Sequence, residues 1–130
     1  MKTVLQPPGW PRPRGYANGV SAQGRQVFVA GMVGWNADAR FESDDLVDQV
    51  RQALLNVRAV LAEGGASPEH IVRMTWYVTD RREYVARGKE IGAVYRQTIA
   101  SYAAAMTAVE VKSLVEERAK VEIEVTAVVP

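Results

Sequence analysis

Hydrophobic and polar positions follow two different periods along the chain, and these periods predict its secondary structure. Apolar residues recur at helical spacing over 44–63 and again over 82–102, which predicts two amphipathic helices. Runs rich in residues that favour β-structure, some strictly alternating, predict strands at 16–21, 26–33, 71–79, 104–111 and 120–129. The predicted order is β-β-α-β-α-β-β, with a short extra strand at 2–5.

Local signals mark the ends of several of these elements. A turn at Gln23-Gly24 separates the first two strands and predicts a β-hairpin. Ser43 is placed to cap the first helix, and Gly64-Gly65 is suited to end it. Ser67-Pro68-Glu69 predicts a single helical turn before the third strand. Gly88 within the second helix predicts close packing of that helix.

Two helices cover only one face of such a sheet, so the second face is judged from its own residues. Period two places Glu122 and Glu124 on that face. We expect neighbouring strands to add polar and apolar residues to it: Thr75, Tyr77, Met106, Ala108 and Glu110. A solvated face would carry fewer large apolar groups. We therefore expect a homo-oligomer in which these faces meet, with a pocket between subunits.

Length and composition indicate a single domain over residues 1–130. Of the 130 residues, 48% are hydrophobic and 24% charged, which is typical of a globular protein. The chain has no cysteine, which excludes disulfides, thiolate metal sites and cysteine nucleophiles. The net charge of +1 disfavours a dedicated nucleic-acid binder. No apolar run is long enough to span a membrane and no secretory leader is visible, so we expect a cytoplasmic protein.

Few residues are candidates for chemistry. The single histidine, His70, is better explained as a surface residue than as a catalytic base. Glu122 and Glu124 flank Ile123, so their side chains lie on one face about 7 Å apart. If a partner subunit buries that face, the two carboxylates could hold a water molecule; if the face is solvated, they are surface charges. The segment 31–34, with sequence GMVG, lacks the spacing of a phosphate-binding loop.

Several segments together resemble the Rid (YjgF) family of reactive-intermediate deaminases. The resemblance extends from Gly15 onward and rests on RGYANGV at 14–20, VAGM at 29–32, QVRQALLNV at 49–57, GGASPEHIVR at 64–73 and VEIEVTA at 121–127. It implies a chorismate-mutase-like α+β fold with two helices on one face of a mixed sheet. It also implies a homotrimer whose sheets form a central barrel, with sites in the clefts between subunits. The implied chemistry is the cofactor-independent hydrolysis of enamine and imine acids to 2-keto acids and ammonia.

Position by position, the resemblance implies roles for a few residues. Glu122 corresponds to the acid that positions the attacking water, Tyr16 to a tyrosine of the pocket, and Gly31 to a residue whose backbone touches the ligand. Where the family's deaminases have an arginine that binds the substrate carboxylate, this chain has Met106, and Ala108 replaces the usual pocket cysteine. A thioether cannot replace a guanidinium in binding a carboxylate.

These departures favour a hydrolase for a small imine, enamine or related carbonyl compound other than a 2-imino acid. Met32, Trp35 and Met106 would suit such a more apolar ligand. A non-catalytic protein that binds a metabolite is the alternative; an endoribonuclease or translation inhibitor has less support, given the net charge and the lone histidine. The sequence leaves open whether Arg14 or Arg73 replaces the missing anchor. The expected partners are further copies of the chain and a small metabolite, with no metal and no cofactor.

Overall fold

A computed structural model describes residues 2–100 and 103–130 as an α+β fold. The strands are β1 (Lys2–Leu5), β2 (Gly19–Ala22), β3 (Arg25–Val33), β4 (Ile71–Val78), β5 (Ala105–Glu110) and β6 (Val121–Val129). The helices are α1 (Leu46–Glu63), α2 (Arg81–Ala86) and α3 (Gly88–Thr98), and a 3₁₀ turn at Pro68–His70 leads into β4. The predicted mixed α+β architecture is confirmed.

Four of the strands form one mixed sheet in the order β3-β6-β4-β5. β6 runs antiparallel to both of its neighbours, whereas β5 runs parallel to β4. β3 and β5 are therefore the two edges of this sheet. α1 and α3 pack together on one of its faces, and the hydrophobic core lies between them and the sheet.

The connection between β2 and β3 differs from the predicted hairpin. β2 pairs with β1 in a separate two-stranded sheet, whereas β3 pairs with β6. Gly24 at the turn has a φ of +146°, and a Cβ there would overlap the backbone of Val129 at the end of β6. The turn thus carries the chain from one sheet to the other. The Gln23-Gly24 signal predicts the turn correctly but does not specify the partner of either strand.

The first helix is capped two residues later than predicted. The Asp45 carboxylate accepts a hydrogen bond from the backbone N–H of Asp48 at 3.1 Å and forms the N-cap. Ser43 supports this cap, since its hydroxyl accepts a hydrogen bond from the Asp45 N–H at 3.0 Å. At the other end Gly65 has a φ of +68°, so the predicted glycine exit is confirmed.

The second predicted helix is divided into α2 and α3, with Arg87 between them. The prediction that Gly88 packs closely is wrong, because a Cβ at this position would meet nothing within 4 Å. Ile91 and Tyr95 are buried on the predicted apolar face. Tyr102, which the helical spacing places on the same face, lies outside the described residues.

The strand register determines which side chains share the open face of the sheet, away from the helices. Glu122 lies opposite Tyr77, and Glu124 lies opposite Thr75. These four residues therefore share one face, as predicted. Phe28 on β3 belongs to the same face and is 70% exposed.

The register of β5 corrects the prediction for that strand. Met106 lies opposite Met74, and Ala108 lies opposite Trp76, and both of these β4 residues are buried in the core. Met106 and Ala108 therefore face the helices, and Glu110 follows the same alternation. The prediction that these three residues lie on the open face is wrong, because period two groups the residues of a strand but does not say which group faces inward.

The N-terminal segment is fastened to the start of β5. The Lys2 ammonium donates hydrogen bonds to the backbone carbonyls of Glu69, Ile71 and Ala103 at 3.2, 3.2 and 2.8 Å. Burial lowers the pKa of this lysine. Further along, the Ala17 N–H donates to the Ala104 carbonyl at 2.8 Å. These contacts hold residues 14–17 beside the edge strand.

Within 2–100 and 103–130, no helix is long and apolar enough to cross a membrane. The same residues contain no cluster of three or more histidine or acidic side chains that could hold a metal ion.

Candidate functional site

A cavity of about 790 Å³ opens between β5, α3 and the N-terminal segment. Three residues singled out from the sequence line it, namely Tyr16, Met106 and Ala108. Tyr16 reaches the cavity because Ala17 forms a parallel bridge with Ala105 at the start of β5. The structure therefore brings together residues that are about ninety positions apart in the chain.

Aromatic side chains form the inner wall of this cavity. The ring of Trp76 lies 6.1 Å from that of Tyr84 and 6.3 Å from that of Tyr95, measured between centroids. The Tyr95 hydroxyl donates a hydrogen bond to the Met74 sulfur at 3.5 Å. Burial raises the pKa of Tyr95 to about 12 and also raises the pKa of Tyr84. Both phenols are therefore neutral at physiological pH, and the wall is apolar.

Two arginines also line the cavity, Arg14 from the N-terminal segment and Arg96 from α3. In the part of the chain that the structure describes, neither guanidinium has a carboxylate within salt-bridge distance. Arg73, the other cation considered from the sequence, lies opposite Ala105 and Thr126 on the open face of the sheet. Arg14 is therefore near Met106 as considered, Arg73 is not, and Arg96 is an addition from the structure.

Sequence reasoning missed Arg96 because it lies off the buried stripe of α3. The cavity lies beside that stripe, where Gly88, Gly92 and Arg96 follow one another at intervals of four residues. This spacing places them on one helix face. It is the signal in the sequence that could have identified the cavity wall.

The other predicted site residues lie elsewhere, around the end of β3. A Cβ at Gly31 would overlap the Glu122 carboxylate and would lie only 2.8 Å from its Cδ and 2.9 Å from its Cγ. The Glu122 side chain therefore lies directly over the bare backbone of Gly31. Met32 is half-buried against the core, opposite Ile123. None of Gly31, Met32 and Glu122 lines the cavity.

The two glutamates of β6 have different surroundings. The Tyr77 hydroxyl donates a hydrogen bond to the Glu124 carboxylate at 2.7 Å, and this bond raises the pKa of Tyr77. Glu122 is half-buried and makes no side-chain hydrogen bond or salt bridge to any residue that the structure describes. Of the two carboxylates, Glu122 is the one whose oxygens are available to orient a water molecule.

His70 belongs neither to the cavity nor to the residues around Gly31 and Glu122, and its side chain makes a structural contact. Its Nδ1 accepts a hydrogen bond from the Ser67 N–H at 3.0 Å at the start of the 3₁₀ turn. This agrees with the expectation that His70 is not a catalytic base.

The two groups of predicted site residues cannot meet around one small ligand within a single chain. β3 and β5 are separated by β6 and β4, so the two edges are three strand spacings, about 14 Å, apart. Gly31 and Met32 belong to the β3 edge, and Met106 and Ala108 to the β5 edge. A site that uses all of them needs a second copy of the chain.

Comparison with known sequences identifies a family over almost the whole chain. The sequence model of the family described as "Endoribonuclease L-PSP" matches residues 11–129. A RutC family protein from Aquifex aeolicus is 34% identical over 127 residues, covering 95% of this chain and 97% of that protein. TdcF of Escherichia coli, provisionally named a reactive intermediate deaminase, is 30% identical over 132 residues, covering 98% of both chains.

Solved structures agree with this assignment. The Rid family protein YyfB from Yersinia pestis superimposes with a TM-score of 0.86 at 30% identity, covering 98% of each chain. The crystal structure of E. coli TdcF with bound serine has a TM-score of 0.71 at 26% identity, covering 98% of this chain and 99% of that one. The resemblance found in the sequence is confirmed, and the chain belongs to the Rid (YjgF) family.

Proposed function

We propose that this protein is a hydrolase for a small imine, enamine or related carbonyl compound, with its sites in the clefts between subunits of a homotrimer. The observation that carries the proposal is the Glu122 carboxylate, which lies over Gly31 with no hydrogen-bonding partner among the described residues. The relatives support it: one is provisionally named a reactive intermediate deaminase, and its crystal structure contains serine.

The open face of the sheet supports self-association. Phe28 is 70% exposed and Val109 is 40% exposed, and both lie on this face. Exposed apolar side chains on one sheet face are typical of a protein interface. An assembly that sets the β3 edge of one copy beside the β5 edge of the next would bring Glu122 and Gly31 to Tyr16 and Met106.

The proposed chemistry is addition of water to a carbon–nitrogen double bond. Glu122 accepts a hydrogen bond from the water and directs its oxygen at the electrophilic carbon. Glu122 takes a proton from the water as its oxygen bonds to carbon, and returns the proton to nitrogen to give a neutral carbinolamine. A proton then passes from the carbinolamine hydroxyl to the nitrogen as the carbon–nitrogen bond breaks, which releases ammonia and leaves the carbonyl product. Backbone N–H groups near Gly31 or Ala108 would stabilise the developing charge. The residues of this chain carry the steps without a cofactor.

Met106 determines which imines are excluded. An arginine binds a carboxylate through two charge-assisted hydrogen bonds, and a thioether offers no donor. Removing one partner of such a buried charged pair costs about 2–5 kcal/mol. A 2-imino acid, whose carboxylate is attached to the reacting carbon, therefore loses its anchor at this position, whereas an imine without that carboxylate loses nothing.

The direct test compares the hydrolysis of two classes of imine, each produced by an oxidase in the assay mixture. An amine oxidase acting on primary amines supplies aldimines, and an amino acid oxidase supplies 2-imino acids. Semicarbazide forms the same semicarbazone from the imine and, more slowly, from its carbonyl product, so hydrolysis is read as a lower initial rate of trapping. We expect the protein to lower trapping of aldimines more than trapping of 2-imino acids. Equal hydrolysis of both classes would contradict the role given to Met106.

Glu122→Gln should lower kcat about 100-fold or more, within the range for general base catalysis, and leave the assembly intact. Glu124→Gln is the matched control, because that carboxylate is engaged by Tyr77. Sedimentation of both variants should show the trimer. Unchanged turnover in Glu122→Gln would contradict its role, and a monomer at micromolar concentration would contradict the cleft.

A protein that binds a metabolite without turnover is the second candidate, favoured by the loss of both the arginine and the cysteine at Met106 and Ala108. Met106→Arg separates the two. If the variant hydrolyses 2-imino acids, the other residues of the site are competent for catalysis. If it gains no hydrolysis but still binds its ligand, the protein that binds a metabolite without turnover is favoured.

A further inference from the structure

We propose that the cavity beside Met106 binds an anion that carries an aromatic or extended apolar group. Arg14 and Arg96 hold the anionic end, and the rings of the inner wall hold the body. This inference rests on the proposed function, since it names the class of substrate for the same site. In this proposal the anionic group is at the end of the ligand remote from the reacting carbon, so it does not take the place of the carboxylate anchor lost at Met106.

The size of the cavity is the first argument. Its volume of about 790 Å³ lies toward the upper end of the range of about 300–1,000 Å³ that is typical of sites for drug-sized ligands. A three-carbon compound would fill only a small part of it. The single chain therefore leaves room for a ligand with a body well beyond the reacting group.

The charges around the cavity are the second argument. Arg14 and Arg96 line it, and none of the described residues that line it is acidic. Both side chains are exposed at the cavity, and each adds positive potential that favours an anion there. Arginine suits carboxylate and phosphate in particular, because its planar donors bind two oxygens at once.

The walls are the third argument. Trp76, Tyr84 and Tyr95 present rings that favour an apolar or aromatic neighbour. On α3, Gly88 at the first helical position and Gly92 inside the helix place no side chain at the cavity, although glycine is unfavourable at an interior position such as 92. Because a Cβ at Gly88 would meet nothing within 4 Å, protein packing does not require glycine there.

The indole of Trp76 adds a polar feature to this wall. Its Nε1 is buried and has no hydrogen-bond acceptor among the residues described. A buried donor without an acceptor is costly. A ligand oxygen that reached this nitrogen would supply the acceptor.

Three probes separate charge from shape: 3-phenylpropanoate, 3-phenylpropan-1-ol, which lacks the anion, and propanoate, which lacks the ring. We expect titration calorimetry on the intact protein to show that 3-phenylpropanoate binds at least tenfold more tightly than either of the others. Added salt should weaken the binding of 3-phenylpropanoate strongly and the binding of the other two probes little. Equal binding of the three probes, or binding of none, would overturn the proposal.

Variants test the two halves of the site. The double variant Arg14→Gln with Arg96→Gln should weaken the phenyl acid about tenfold and leave the phenyl alcohol unchanged. Arg82→Gln removes an exposed arginine of α2 that does not line the cavity, and is the matched control. Gly88→Leu should weaken the binding of both phenyl probes, because the leucine side chain would fill part of the cavity. Leucine also has a higher helix propensity than glycine, so α3 should be retained. If Arg82→Gln weakened the binding of 3-phenylpropanoate as much as the double variant does, the effect would come from the overall charge of the protein, and the assignment would be overturned.

The outcomes distinguish this inference from the proposed function. Selective binding of the phenyl acid without hydrolysis of any imine would support the ligand class and contradict the hydrolase. Hydrolysis that depends on Glu122, combined with no preference among the probes, would contradict the ligand class alone. A cavity occupied by a neighbouring subunit would show no probe binding, and the double arginine variant would change sedimentation, which would also overturn the inference.

Discussion

Replacing Gly31 by alanine should inactivate the protein by displacing Glu122 and not by unfolding the chain. The new Cβ would lie 2.8 Å from the Glu122 Cδ and 2.9 Å from its Cγ, whereas carbon atoms in contact lie about 3.5–4.0 Å apart. The side chain must therefore move by at least about 0.7 Å at Cδ, and its overlapping carboxylate oxygen must move further. A misplacement of about 1 Å in a reacting group can cost about 100-fold in rate.

We therefore expect a loss of about 100-fold in kcat for Gly31→Ala, with little change in the midpoint of thermal unfolding. Stability should change little because Glu122 is only half-buried and can turn toward solvent. Gly19→Ala is the matched control, since its Cβ would meet the Leu5 side chain at an ordinary 3.4 Å. The assay is the trapping of imine by semicarbazide, followed by a melting curve for each variant. Full activity in Gly31→Ala, or loss of activity only together with unfolding, would refute the reasoning.

Three further predictions concern assembly and stability. Phe28→Asp places a charge on the open face and should shift sedimentation from the proposed trimer to smaller species; an unchanged profile would remove this face from the proposed interface. Because the pKa of Tyr95 is raised to about 12, the stability that its neutral phenol contributes is complete below about pH 10 and is lost as pH rises through 12. The loss approaches about 3 kcal/mol, and urea unfolding at about pH 9 and pH 11 should show a shallower decline for Tyr95→Phe. Asp45→Ala removes the cap of α1 and its ion pair with Arg87, and should lower the free energy of unfolding by about 1–2 kcal/mol; no change would show that the cap is dispensable.

The elements that the sequence predicted well are those set by local periodicity. The apolar stripe of α1 and the alternation of β6 identified buried residues such as Leu54 and Ile123, because each helix or strand repeats its contact with the core at a fixed interval. The turn at Gln23-Gly24 and the helical turn at Pro68 were equally local. These features need no knowledge of what lies opposite.

The features that could not be predicted depend on pairings across the chain. The inward direction of Met106 follows from its position opposite Met74 in a parallel pair, which alternation within β5 does not reveal. The helical pattern marks Arg96 only as a polar residue of α3. Its place at the cavity depends on the N-terminal segment and β5, which lie beside that helix in the fold. Local pattern assigns a residue to a face, but only the assembled strands show what that face contacts.

The position of the two residue groups on opposite edges of the sheet has a genetic consequence. A chain carrying Glu122→Gln keeps an intact β5 edge, and a chain carrying a bulky charged residue at Ala108 keeps an intact β3 edge. Neither would be active alone. Unfolded and refolded together, the two inactive polypeptides should form mixed copies of the proposed trimer in which some clefts combine the two undamaged edges, so that activity returns by complementation between alleles.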